Sequence, residues 1–434
     1  MTLWLSHLSI GVLAFALSFG FTACAAQAGE RRFVITAFGA VADGSTLNTK
    51  AIQKTIDAAA RAGGGTVEIP AGVFRSGSIF LQPGVGLFLA EGAVLKGSEQ
   101  IEDYPKRLTR IEGHFEPWRM ALVNAQEIQG VRISGKGRLD GSGPIYWEAY
   151  RRRRRENPNC TNLEVERPRL MFVDRCRDVR IEGIEFQDSG FWNLHLYRCR
   201  DVFVTGVRIT VPSAINGIHG PSTDGMDIDS SQNVTVRNCY ISVNDDNIAL
   251  KGSKGPLAEQ DKDSPPVENI LIEDCEFGEG NGMITCGSEA TIVRNVTARN
   301  CVISGGATLL TLKLRADTPQ HYENILIDSI KVNGQGRIIN VAPWKQFFDL
   351  KGEAPPHSVV SSVTIRNVTG ACRTIGTLRG HAMSELRDVT LENIDLAVTN
   401  EKFAPGPVEN LVVKNVNVNG KPMVLPAPRA RIGL

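Results

Sequence analysis

Along most of the chain, a short alternation of apolar and polar positions keeps returning behind a turn-forming residue. It appears as Gly130-Val-Arg-Ile, Asp178-Val-Arg-Ile, Asp201-Val-Phe-Val, Asn233-Val-Thr-Val, Asn269-Ile-Leu-Ile, Asn295-Val-Thr-Ala, Asn324-Ile-Leu-Ile, Ser362-Val-Thr-Ile, Asp388-Val-Thr-Leu and Asn410-Leu-Val-Val. A period of two marks a strand with one buried face. The Asn or Asp ahead of it suits a turn, because its short side chain bonds nearby backbone and tolerates left-handed geometry. Neighbouring phrases lie 48, 23, 32, 36, 26, 29, 38, 26 and 22 residues apart. The shortest steps define one unit, the 48 reads as two units, and the others read as a unit plus a loop. Strands this short cannot bury a face alone and must stack. A β-propeller blade needs ~40–45 residues, so a parallel β-helix fits better. Helical periodicity is confined to Thr49–Ala62, where Ile52, Ile56 and Ala59 share a face ahead of Gly63-Gly64-Gly65. That helix would cap one open end of the solenoid.

Composition changes this picture little. Lys and Arg number 48 against 47 Asp and Glu, a net charge of +1, which argues against nucleic acid as a partner. The first 28 residues lack Asp, Glu, Lys and Arg, and Leu8–Phe21 is apolar. With Ala26-Gln27-Ala28 as a cleavage site, residues 1–28 read as a secretory signal peptide. The expected location is therefore periplasmic or extracellular, and a lipid anchor at Cys24 is compatible with Phe21-Thr22-Ala23-Cys24. Residues 29–434 read as one domain, because Gly252–Pro266 and Ala354–His357 look like loops between coils. Cys176, Cys199, Cys239, Cys275 and Cys301 follow a polar residue at similar points of successive repeats, which suits an internal ladder better than a disulfide framework. The sequence has no CxxC pair, so no zinc site is expected, nor any other metal or cofactor.

The chemistry is concentrated in two phrases, Ser222-Thr-Asp-Gly-Met-Asp-Ile-Asp229 and Asn244-Asp-Asp-Asn-Ile-Ala-Leu-Lys251. Asp224 precedes Asp245 and Asp246 by 21 and 22 residues, one unit of the repeat. Stacking would set them ~4.8 Å apart on adjacent coils. Carboxyls that close repel, so one holds a proton while others stay ionised. Glycoside hydrolysis needs that division into acid and base. Acidic residues also cap turns, and Asp227 and Asp229 are assigned to that role or to support of Asp224. Asn281 and the pair Lys313 and Arg315 fall on later coils. Alternation points the two cations to one side, a seat for a sugar carboxylate.

These residues resemble glycoside hydrolase family 28, the polygalacturonase and rhamnogalacturonase group. Its four ordered motifs match here as Ser222-Thr223-Asp224, Asp245-Asp246, Gly280-Asn281-Gly282 and Lys313-Leu314-Arg315. Further similarity lies in Phe38-Gly39-Ala40, Asp43-Gly44, Gly63-Gly64-Gly65-Thr66-Val67, Ile69-Pro70-Ala71-Gly72 and Phe191-Trp192-Asn193-Leu194-His195. The resemblance covers roughly residues 33–420. It implies a right-handed β-helix and an inverting, single-displacement hydrolysis of a pectin-type acidic polysaccharide. By it, Asp245 would be the general acid, Asp224 and Asp246 would hold and deprotonate water, and Lys313 and Arg315 would bind the substrate carboxylate. Two positions depart from the family pattern. Asn281 stands where the family has histidine, and Asn carries no charge. The cation pair is transposed, Lys before Arg.

Trp192, His195 and Trp344 are candidate sugar-subsite residues, against the bland reading of buried aromatic packing. Arg151–Arg155 reads as a loop near the cleft that attracts a polyanion, and His219 as a plain loop residue. A monomer is expected. Competing functions are a Ca²⁺-dependent β-helix lyase using the same carboxylates, a rhamnogalacturonan-directed hydrolase, and a non-catalytic glycan-binding β-helix.

Overall fold

The computed structural model describes residues 31–212, 217–344, 346 and 349–425. Residues 1–28, expected to be a leader and including Cys24, lie outside the described residues. The chain winds as a right-handed parallel β-helix. One wall is an eleven-stranded parallel sheet whose strands follow chain order, from Ile79–Phe80 to Phe403–Pro405. A 22-stranded sheet, bent along its length, forms the other walls. The interior is one continuous apolar cluster of stacked Val, Ile and Leu.

The repeat phrases are the corners of this coil. All ten of their leading residues adopt left-handed backbone, from Asp178 at φ 50° to Gly130 at φ 82°. Their Asn side chains form a ladder up the solenoid: Asn269 Nδ2 donates to Asn233 Oδ1 (3.0 Å), Asn295 to Asn269 (3.2 Å) and Asn324 to Asn295 (2.8 Å). The residues before the five cysteines are left-handed as well, but at two different corners: Arg175 and Arg198 precede the Asp178 and Asp201 corners, whereas Asn238, Asp274 and Asn300 follow those at Asn233, Asn269 and Asn295. The expected single ladder is therefore two stacks, Cys176 with Cys199 and Cys239 with Cys275 and Cys301. The eight cysteines among the described residues are free and buried.

Register reproduces the step lengths with one correction. Val179 pairs with Val202, Val202 with Val234 and Val234 with Ile270. However, Ile133 pairs directly with Ile181, so the 48-residue step is a single coil carrying an insertion. That insertion holds helix α2 (Gly143–Glu156), which contains Arg151–Arg155. The five-arginine run is therefore helical, not a loop. Tyr146, Trp147 and Tyr150 form its buried face, and Trp147 Nε1 donates to Ser189 O at 2.8 Å.

Helix α1 (Thr49–Arg61) buries Ile52, Thr55, Ile56 and Ala59 over the first coil, where the sequence predicts a cap. The chain then turns at Gly65, where φ is 147° and a Cβ would stand 2.6 Å from Arg31 O, so only glycine fits. An antiparallel hairpin, Lys106–Ile111 with His114–Arg119, folds against the side of the eleven-stranded sheet. Its Arg110 reaches Asp229 at 3.1 Å.

Candidate active site

A cleft of about 1060 Å³ runs along the outer face of the eleven-stranded sheet. Its floor is built from turns that enter successive strands. Asp224 precedes Met226–Asp229, and Asp245 and Asp246 precede Ile248–Lys251. Met226 pairs with Ile248, the same offset of 22 that separates Asp224 from Asp246. The Gly225 N–H donates to Asp246 O at 2.9 Å, locking the two turns together. A Cβ at Gly225 would stand 2.4 Å from Asn247 O, so glycine allows that approach. Thr223 Oγ1 closes the first turn on Gly220 O, and Asn193 Nδ2 donates to Asp224 O.

One carboxylate oxygen from each of Asp224, Asp245 and Asp246 lies within 4.8 Å of the others. Their surroundings differ. Asp246 is buried, and its two oxygens accept from Thr285 Oγ1 and Lys313 Nζ, both at 2.7 Å. Asp245 is half-buried, so it is the most accessible of the three. Its Oδ1 accepts from Asn281 Nδ2 and from the Asp246 N–H, each at 3.0 Å. Burial, then the charge of Asp246, still raises its carboxyl above the usual range. Asp224 is pushed to about 8 by burial and then by Asp245, with Lys251 opposing at 3.5 Å. Within the trio, burial and mutual repulsion thus raise Asp224 and Asp245, whereas Asp246 is the one bonded directly to a cation.

Lys251 was missed as a site residue, although Ile248-Ala-Leu-Lys251 alternates and points it outward. Its Nζ stands 3.5 Å from Asp224, 3.6 Å from Asp227 and 3.7 Å from Glu289. Burial alone would discharge this amine, but the three carboxylates hold its pKa well above the usual value. Burial likewise acts to raise Glu289, yet Lys251, Lys254 and Arg315 hold it well below the carboxylate range. Glu289 lies in a non-repeating loop and left no sequence signal. Asp227 is fully buried beneath Asp224. Burial and that neighbour raise its carboxyl, so it supports the cluster.

The expected binding residues divide. Asn281, Lys313, Arg315, Trp192 and Trp344 all line the cleft. Lys313 Nζ sits 5.0 Å from the Trp344 ring centre, and Lys251 Nζ sits 4.9 Å from that of Trp192. Trp344 pairs with Arg315 one coil on. Arg315 is 1% exposed, and its guanidinium binds both oxygens of Asp317 at 2.8 and 2.7 Å. It is thus a neutralised wall of the cleft rather than a ready anion fork. His195 corrects the expectation of a sugar contact. It is completely buried against the rings of Phe172 and Trp192, and it lies between Arg169 (2.8 Å) and Asp229 (3.4 Å). Burial lowers it to about 4, leaving a neutral structural imidazole. Asp229 is likewise structural, paired with Arg110. Of the arginine run, Arg151 and Arg154 line the cleft, as does His219, whose carbonyl accepts from Arg151.

Residues 68–419 match the family described as Glycosyl hydrolases family 28. An endo-polygalacturonase of Pectobacterium carotovorum subsp. carotovorum is 26% identical over 387 residues, covering 82% of this chain and 85% of that one. A probable polygalacturonase of Vitis vinifera is 28% identical over 249 residues, 54% of this chain and 46% of that one. The chain spans about half the length of this plant relative and of a second one, 46% and 52%. Among solved structures, a hyperthermoactive exopolygalacturonase from Thermotoga maritima superposes with a TM-score of 0.70 at 23% identity, covering 88% of this chain and 92% of that one.

Proposed function

The chain belongs to glycosyl hydrolases family 28, and on that footing we propose that it hydrolyses galacturonate-containing, pectic polysaccharides or oligosaccharides. The observation that carries this reading is the unequal trio on the cleft floor. Three carboxyl groups lie within 4.8 Å of one another, one clamped by Lys313 and two raised by burial. Asp245, reachable from the cleft, donates its proton to the leaving oxygen. Asp246, bonded to Lys313 and Thr285, takes a proton from water that Asp224 helps to hold. This supplies acid and base from one cluster. The relatives' names supply the pectic substrate, and the cationic cleft supports it. Export, with residues 1–28 as a leader, is part of the proposal, and the mature N-terminus read by mass spectrometry tests it.

The stereochemical outcome is inversion. Close carboxyls generally accompany retention, because ~5–5.5 Å leaves no room for water between nucleophile and acid. Here, however, the candidate nucleophiles are tied down. Asp246 is 1% exposed and bonded at both oxygens, and Asp224 is 3% exposed with a raised pKa. Neither can advance on an anomeric carbon, whereas both can hold a water. Proton NMR of freshly released product would read the anomer; retention would remove the single-displacement assignment.

Three clustered carboxylates also suit a divalent cation, the requirement of the lyase reading. Lys251 and Lys313 already deliver positive charge to that cluster, so cleavage is expected to survive chelator and to generate no ultraviolet-absorbing unsaturated ends. The deciding assay is reducing-end release from homogalacturonan, rhamnogalacturonan and oligogalacturonides by wild type and Asp245→Asn. A loss of at least ~10²-fold is expected from removing a general acid. Equal rates would end Asp245's assignment. Absence of release by wild type on every acidic glycan would end the hydrolase reading.

A further inference from the structure

The cleft continues past the carboxylates, and its far end carries two guanidiniums with no part in the steps above. Arg337 opens the Arg337–Trp344 strand, and Arg373 stands just before Thr374–Leu378. Both line the cleft. Following the register through Gly282 and Thr308 brings the position of Asp246 to Arg337 after three coils. At ~4.8 Å per coil this is roughly 14 Å from the cluster.

Other arginines on the solenoid surface are matched by acids across coils, as Arg294 is by Glu268, Arg299 by Glu273 and Arg366 by Asp328. Arg337 is not. Its Nη1 donates to the neutral Asn340 Oδ1 at 2.8 Å, and Thr377 Oγ1 fixes that same oxygen at 3.0 Å. Burial, and then the like charge of Arg373 on the next coil, push Arg337 below its usual range. A guanidinium fixed by Asn340 and a second, exposed one that repels it, both facing the cleft, form a site that an anion would complete.

We propose that Arg337 and Arg373 form a distal anion subsite that grips the carboxylate of a uronate ring about three sugars from the cleaved bond. A hexuronate ring is about as long as one coil is tall, so a chain lying along the solenoid axis would present a carboxylate there. This inference rests on the hydrolase reading and adds to it a preference for longer acidic chains.

Calorimetric titration of full-length Asp245→Asn, which suppresses turnover, with galacturonate dimer and hexamer tests it. Adding Arg337→Gln and Arg373→Gln together should weaken the hexamer by about tenfold, the scale of one lost charge-assisted contact, and leave the dimer unchanged. A hexamer with its carboxyls reduced to alcohols should bind both backgrounds equally. Arg373 is exposed, so Arg373→Gln alone, expected to give a smaller loss on the same substrate, guards against a folding defect. Unchanged hexamer affinity would overturn the subsite. So would equal losses for dimer and hexamer, which would report damage to the whole cleft. If the parent protein binds neither acidic oligomer, the pectic reading falls and takes the subsite with it.

Discussion

Asp224 and Asp246 occupy equivalent positions on neighbouring coils, yet their chemistry diverges through what each touches. Lys313 and Thr285 bond to Asp246 directly, whereas Asp224 has Lys251 at 3.5 Å and Asp245 beside it. The consequence can be read in stability. With its pKa raised from 3.8 to about 8, Asp224 stabilises the fold fully below its unfolded pKa. That contribution is lost as pH rises through the folded value. Relative to Asp224→Asn, the wild type should therefore lose stability progressively between about pH 4 and 8 in denaturant titrations. Parallel pH curves for the two proteins would mean the carboxyl is ionised throughout. The position of Asp224 was legible because a spacing of one repeat dictates adjacency. The fate of His195 was not: Leu194-His-Leu-Tyr alternates as if His faced solvent, but Phe172, Trp192 and Arg169, itself bonded to Thr109 and Arg110 of the distant hairpin, bury it. Alternation reports which side of a sheet a residue takes, not what later packs on that side.

Among elements, the corners were the most readable because their residue types answer a backbone demand. Asn at φ near +57° costs little and still presents an amide to the next coil. Asn269 accepts from Asn295 and donates to Asn233. Asn269→Ala should therefore cost about 1–2 kcal/mol, combining left-handed strain with loss of two ladder bonds. Asn269→Gly should cost less, since it relieves the strain. Chemical denaturation of the two variants separates these contributions, and equal stability for both would leave the bonds as the whole effect. Helix α2 was less readable. Its arginines erase the apolar stripe on which helix recognition depends, and Tyr146, Trp147 and Tyr150 are the remnant of its buried face. The same insertion explains why a 48-residue step mimicked two coils: length alone cannot separate one long excursion from two short turns.

At the scale of the molecule, a net charge of +1 says nothing of how charge is distributed. Acids and bases pair off across coils over much of the surface, as at Arg299 with Glu273 and Lys414 with Glu392. The cleft instead gathers cations at both ends, Arg151 and Arg154 on α2 and Arg337 and Arg373 three to four coils past the cluster. A polyanion approaching this protein meets little long-range attraction, and the field that holds it is local to the groove. Ionic strength should then act on binding of long chains more than on chemistry. Raising salt from ~0.05 M to ~0.5 M shortens the Debye length from ~14 Å to ~4 Å, which is less than one coil spacing. KM for polymeric pectate should rise several-fold while kcat stays nearly constant, because the buried partners of Asp246 and Asp224 are screened far less than the rim. Loss of kcat with unchanged KM would place the salt-sensitive charges at the carboxylate cluster instead. With Arg337→Gln and Arg373→Gln in place, the salt dependence of KM should flatten, since the rim contacts that salt weakens would already be gone.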